Sequence, residues 1–307
     1  MKKTITFLAA LCMTVVANAT ILRVSNVTGS SAPYSTIEDA MEAATTGDTI
    51  MLDPSAVQYG LDGGRIVVKK PLTIMGLGYW LMKNGIISEG ASEACLNMIT
   101  IQADSVTLEG IDAGKLYIQA SKASIIRCIV KGISFRSAYG DELADNCIVH
   151  QCFIKDAIAT AGGTGKRSSF HQFTNNIFTT WGDFGSLTNC YIAYNIFRTE
   201  IGRFPDSYNN TVKYNISSEI LNNYNNKIED NVVVDIDEAI TNSAIDSDYY
   251  NLELLQSVMN THGAFAGTDP YVISGVPSGP VITDMKIPTT LEVGNKLNVT
   301  IKVDVSR

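Results

Sequence analysis

Two stretches of this chain concentrate side chains able to hold a charged or hydroxylated ligand. The run 134–144 carries Arg136, Tyr139, Asp141 and Glu142, and the run 158–169 carries Lys166 and Arg167. Trp181 and Asp183 follow, and then Arg198, Glu200, Arg203 and Asp206 around Pro205. This mixture suits a polysaccharide. Aromatic faces stack on sugar rings, while guanidinium, ammonium and carboxylate groups hold hydroxyls or carboxylates. A solvated set of loop charges with a structural tryptophan has the same composition, so the reading depends on whether the fold gathers these residues.

Other chemistry is excluded residue by residue. The run Ala161-Gly-Gly-Thr-Gly165-Lys166 resembles a phosphate loop, but that motif needs glycine where Thr160 stands and Ser or Thr where Arg167 stands. His150 and His171 fall in successive repeats without a third ligand at a sensible position, so no metal site is expected. Cys95, Cys128, Cys147, Cys152 and Cys190 match no zinc or disulfide spacing and read as small apolar residues stacked inside the fold.

The elements that must position these residues are written as a repeat. Phe173-Thr-Asn-Asn176-Ile177, Ile192-Ala-Tyr-Asn195-Ile196, Val212-Lys-Tyr-Asn215-Ile216 and Ile228-Glu-Asp-Asn231-Val232 share one phrase, with the asparagines 19, 20 and 16 residues apart. A period near 20 residues indicates a solenoid whose units bury their apolar faces by stacking. Short runs rich in Ile, Val, Phe and Tyr between Asn, Gly and Ser are strand and turn chemistry. Asparagine tolerates positive φ at a turn, and Asn176, Asn195, Asn215 and Asn231 can bond to one another as a turn ladder. Cys152 and Cys128 extend the phrase backwards, and Gly110 and Gly76 continue it. The 34-residue step between those two glycines suggests one unrecognised coil plus an insertion. The residues before the turn, Glu109, Arg127, Gln151, Asn175, Tyr194, Tyr214 and Asp230, read as a polar outward ridge. Within it Tyr194 and Tyr214 either form a sugar platform or cover the strand surface.

Residues 1–19 combine a basic start, an apolar core and Ala17-Asn-Ala19, the pattern of a secretory signal peptide. The expectation is a secreted, periplasmic or cell-surface protein with no integral membrane segment after cleavage. A net charge of −8 over 307 residues argues against nucleic acid as a partner. Residues 20–265 are expected to form one solenoid domain, and 266–307 an extension.

In that extension, Val281–Ile287 and Lys296–Val305 read as a β-hairpin, with Leu297, Val299, Ile301, Val303 and Val305 on one face. The hairpin either packs on the solenoid or offers an edge to a protein partner. Residues 248–259 show helical spacing of Leu252, Leu255, Val258 and Met259. Near the start, Ser35–Ala44 reads as a helix with a Ser35/Glu38 capping box and with Ile37, Ala40, Met41 and Ala44 on one face.

That helix, opening Tyr34-Ser-Thr-Ile and leading into Gly47-Asp-Thr-Ile50, resembles with the repeats the right-handed parallel β-helix proteins of the pectin-lyase-like superfamily, over roughly residues 21 to 234. The resemblance implies an all-β, right-handed parallel β-helix with an N-terminal capping helix, to which the alternation in residues 281–305 adds the C-terminal β-hairpin extension. It also implies enzyme types against which the residues can be held. The paired-aspartate and Gly-His-Gly motifs of the polygalacturonase-like hydrolases are absent, and His262-Gly263 does not supply the second. Pectate-lyase-like enzymes use a calcium site of several carboxylates and an Arg or Lys base. The segment Arg198–Pro205 is faintly similar to their arginine-and-proline element, but its spacing departs and no column of aspartates accompanies it. The expected function is an exported protein binding a polysaccharide in a loop-lined groove, without a cofactor. One alternative is a lyase of uronic-acid polymers with Arg198, Arg203 or Lys166 as base and Ca²⁺ as its ion. The other is a structural or adhesive surface protein.

Overall fold

Short strands joined by sharp corners stack in chain order. The computed structural model describes residues 19–81, 93–135, 143–156, 158–159, 167–179, 184–198, 200–201, 207–220, 225–234, 258, 260–276, 279–286 and 299–306. Ten strands form a first sheet, beginning with Ile21–Val24 and Thr49–Leu52 and ending with Thr211–Lys213 and Lys227–Glu229. All neighbours in it are parallel. A second, eleven-stranded sheet includes Phe153–Ile154, Ile177–Phe178 and Ile196–Phe197, and forms another side of the coil. The chain is thus a right-handed parallel β-helix, the sense that twisted parallel strands favour in their crossovers.

The repeated phrase describes one corner of this coil. Leu108, Ile125, Val149, Phe173, Ile192 and Val212 align at the centres of successive strands and are fully buried. Two residues later comes a left-handed residue, Gly110, Arg127, Gln151, Asn175, Tyr194 or Tyr214, and Asp230 follows the partly buried Ile228 in the same way, all with φ between 52° and 62°. Sequence reading placed positive φ on the asparagine, and the structure corrects this by one residue. The turn is made by the residue before, which frees the asparagine to point inward. It also shifts the register of the earlier copies, where Gly110 fills the left-handed slot that Asn175 fills later. A further correction concerns the 34-residue step, which is a single enlarged coil, because Thr73–Met75 pairs directly with Thr107–Glu109.

Beyond the corner the alternation of a strand takes over. Asn176 points in, Ile177 out and Phe178 in, where its ring stacks on Phe197 at 4.5 Å between centroids. The outward residues Ile129, Phe153, Ile177, Ile196 and Ile216 are nevertheless buried, in a second cluster with Tyr79, Trp80, Ala264 and Tyr271. Residues 260–276 cover them by running back along the corners. The Gly263 N–H donates to the Tyr214 carbonyl at 2.8 Å. The Asn175 amide donates to the carbonyls of Ala264 and Ala266, at 3.0 and 2.8 Å. Gln151 Nε2 reaches the Pro270 carbonyl at 2.6 Å, and Arg127 Nη1 the Val276 carbonyl at 3.0 Å. The expected polar outward ridge is therefore the bed of a strap: Arg127, Gln151 and Asn175 are buried.

At the start of the chain, helix α1 spans Ile37–Ala43. Its cap is one residue later than expected: Thr36 Oγ1 accepts from the Asp39 N–H at 3.2 Å and donates to the Asp39 carboxylate at 2.6 Å. The Lys70 ammonium donates to the carbonyls of Met41, Glu42 and Ala44, closing the other end. Ile37, Ala40 and Ala44 join the main core. Near the end, Gly279–Lys286 and Thr300–Ser306 form an antiparallel pair, in which Val299 beside it and Ile301 and Val303 within it stay about half exposed. Except for Val258, the expected helix at 248–259 lies outside the described residues, as do residues 1–18 of the expected signal peptide.

Candidate functional site

The fold gathers the ends of the long connections. Ser134 is the register partner of Ala159, and Ile201 of Ile220, so connections leave from neighbouring strands. Their returns are also neighbours: Ser168–Ser169 pairs with Leu187–Thr188, and Thr188 bridges Tyr208. Hence the stretches in which the sequence places its charged and aromatic residues leave from neighbouring strands and return to neighbouring strands at successive levels of the stack. Arg136, Tyr139, Asp141, Glu142, Lys166, Trp181, Asp183, Arg203 and Asp206 themselves lie outside the described residues.

Arg167 and Arg198 are described, the first where a connection returns and the second where one departs. The exposed Arg167 guanidinium lies over the Tyr208 ring, 4.7 Å from its centroid, on the returning strands. Two residues further along, the Ser169 N–H and hydroxyl donate to Asp145 on the coil below, at 2.6 and 2.9 Å. Arg198 sits on the departing side, where its N–H donates to the Phe178 carbonyl at 2.9 Å and its side chain is half-buried. The pair therefore brackets the connections instead of sharing one strand.

The tyrosine pair does not serve as an open platform. Tyr194 and Tyr214 stack on each other at 5.0 Å, Gly267 lies against the Tyr194 ring, and His262 meets Tyr214 edge-on. These rings belong to the strap's bed. Next to them Lys213 Nζ lies over Tyr191 and Tyr214, at 5.5 and 5.1 Å.

The histidines occupy separate settings. His150 Nδ1 lies 2.8 Å from Thr174 Oγ1, and its Nε2 lies 3.0 Å from an Asp269 carboxylate oxygen. His171 is buried at a different corner, where its Nδ1 accepts from the Cys147 N–H at 3.1 Å and its Nε2–H donates to Ser168 Oγ at 2.6 Å. Burial holds this imidazole neutral, with its pKa lowered to about 4. Among the described residues no group of three or more His, Cys, Asp and Glu is placed to hold a metal ion.

His171 is one rung of a second ladder that sequence reading missed. The Cys147 N–H meets His171, the His171 N–H meets Cys190 Sγ at 3.3 Å, the Cys190 N–H meets Asn210 Oδ1 at 2.7 Å, and the Asn210 N–H meets Asn226 Oδ1 at 3.0 Å. The pairs Asn146-Cys147, Asn189-Cys190, Asn209-Asn210 and Asn225-Asn226 carried the signal, an outward asparagine followed by an inward rung. Their cysteines fill core slots as expected, and burial pushes Cys147 and Cys190 up to about 12.

No family model matches the sequence, and no curated protein matches it. Among solved structures, the chain is similar to the crystal structure of pectate lyase Pel9A. Sequence identity is 13%, the TM-score is 0.34, and the match covers 72% of this chain and 78% of that one. So slight a likeness does not bear on activity, and the β-helix assignment rests on the strand registers themselves.

Proposed function

We propose that this protein is exported and binds a polysaccharide along the edge where its long connections gather. The observation that supports this reading is the shared register of the connection ends, Ser134 with Ala159 and Thr188 with Tyr208. A polymer needs an extended row of contacts, and a stack of coils supplies one at each level. Arg167 over Tyr208 adds a cation in a chain of net charge −8, which suits a ligand bearing carboxylates or hydroxyls. The test is to incubate the protein with neutral and uronic-acid polysaccharides, with and without calcium, measuring binding and the mass of any product. Binding with unchanged polymer supports the reading. Unsaturated fragments would replace it with the lyase alternative, in which Arg198, Arg203 or Lys166 is the base and Ca²⁺ the ion. Neither binding nor product would remove both.

A second reading has one observation in its favour. Val299, Ile301 and Val303 are 42–53% exposed at the C-terminal strand pair, an apolar strip suited to a protein partner in an adhesive role. Loss of assembly on removing residues 279–307, with glycan binding unchanged, would support it.

A further inference from the structure

The corner leading into the first sheet also uses one left-handed residue per coil. Ser105, Lys122, Asn146, Phe170, Asn189 and Asn209 have φ between 56° and 61°. They form a column, since the N–H of Asn146 donates to Ser169, that of Phe170 to Thr188, and that of Asn189 to Tyr208, each on the next coil. Adjacent members are therefore about 4.8 Å apart. Asn146, Phe170, Asn189 and Asn209 are all exposed.

Asparagine is the expected occupant of such a slot, because its short amide tolerates the left-handed region. Phenylalanine is not, for a bulky side chain there costs about 1–2 kcal/mol. At the opposite corner, the bulky left-handed residues have contacts that offset this. Arg127 and Gln151 bond to the strap, and Tyr194 and Tyr214 stack on each other. Phe170 has no such contact: it is 55% exposed, and no ring or cation among the described residues packs on it. The coil explains the shape of the slot and leaves its occupant unexplained.

We infer that Phe170, flanked by Asn146 and Asn189, is a binding ridge for a neutral polysaccharide, directly beside the strands on which the connections return. The ring face attracts sugar C–H groups through its negative quadrupole. The amides one coil below and above offer both donors and acceptors to hydroxyls, at a spacing close to one pyranose unit. No cation occupies the two slots next to Phe170, which favours a neutral polymer over a uronate. The inference rests on the carbohydrate-binding reading and assigns the contact with a neutral polymer to this column of residues.

The test is native gel electrophoresis of the whole protein in gels containing xyloglucan, galactomannan, mixed-linkage glucan or polygalacturonate. A neutral polymer should retard the protein. Phe170→Asn, which restores the column's usual residue, should weaken that retardation about tenfold without lowering the melting temperature. Phe170→Trp, which keeps an aromatic face in the slot, should retain it. Unchanged retardation of Phe170→Asn would overturn the inference, as would an equal loss in Phe170→Trp. Retardation by polygalacturonate alone would also overturn it while leaving the connection-edge reading standing. If no gel retards the protein, both fall.

Discussion

The side-chain oxygen of Asn195 lies 2.9 Å from the backbone nitrogen of Asn176 and 3.0 Å from its amide nitrogen, one coil away. Asn195 Nδ2 in turn donates to the Phe173 carbonyl at 2.8 Å, and Asn215 Oδ1 accepts from the Asn195 N–H at 2.9 Å. Each rung satisfies the backbone of the coil below it, in an interior from which water is excluded.

Removing one rung leaves buried donors without acceptors. Asn195→Ala should lower stability by about 2–4 kcal/mol, read from the midpoint of urea unfolding. Asn231→Ala, at a partly exposed rung, should cost less. Equal, small losses at both sites would show that the ladder contributes little.

His171 gives stability a defined pH dependence. Its folded pKa of about 4 lies below the ordinary 6.5, so the unfolded chain takes up the proton first as pH falls. The contribution is whole above the ordinary value, is lost between the two, and amounts to roughly 3 kcal/mol. Asn occupies the same slot at Asn210, so His171→Asn should fold and show a flatter pH dependence of its unfolding free energy.

The thiols should be inert in the folded protein, those of Cys128, Cys147, Cys152 and Cys190 in the core and that of Cys95 half-buried beside Gln58, which corrects the expectation that all five stack inside. Desolvation pushes Cys95 up to about 11 and Cys147 and Cys190 up to about 12, and little thiolate forms near pH 8. Labelling with a disulfide reagent should therefore be slow until denaturant is added. A fast-reacting equivalent in native buffer would contradict this assignment.

The strap should be sensitive at its touch-down glycine. A Cβ at Gly275, where φ is +54°, would stand 2.3 Å from Tyr79 Cε1 and 2.4 Å from the Arg127 carbonyl oxygen. Gly275→Ala should dislodge residues 260–276, uncovering Trp80 and speeding proteolysis there. Gly29→Ala, also at positive φ but with nothing within 4 Å, is the control and should leave both unchanged.

The repeat at Asn176, Asn195, Asn215 and Asn231 was legible because a stacked coil imposes the same environment at each level, and identical environments select similar residues. Strand centres, inward rungs and buried cysteines followed from that pattern. The second ladder was harder to see, since Cys147, His171, Cys190 and Asn210 meet one demand, a side-chain acceptor, with three residue types. Of the expected site, Arg167 and Arg198 were found at opposite ends of the connections, a placement their spacing along the chain does not encode.

The sequence by itself determined the parallel β-helix, because a period near 20 residues with apolar strand centres can be buried only by stacking. Only the tertiary structure decided which corner residues face solvent. Gln151 and Phe170 occupy equivalent left-handed slots at two corners, yet one lies under the strap and the other is exposed. That difference comes from residues 260–276 folding back more than a hundred positions along the chain, a contact set by packing against Tyr79, Phe153 and Ile177 and not by any local pattern.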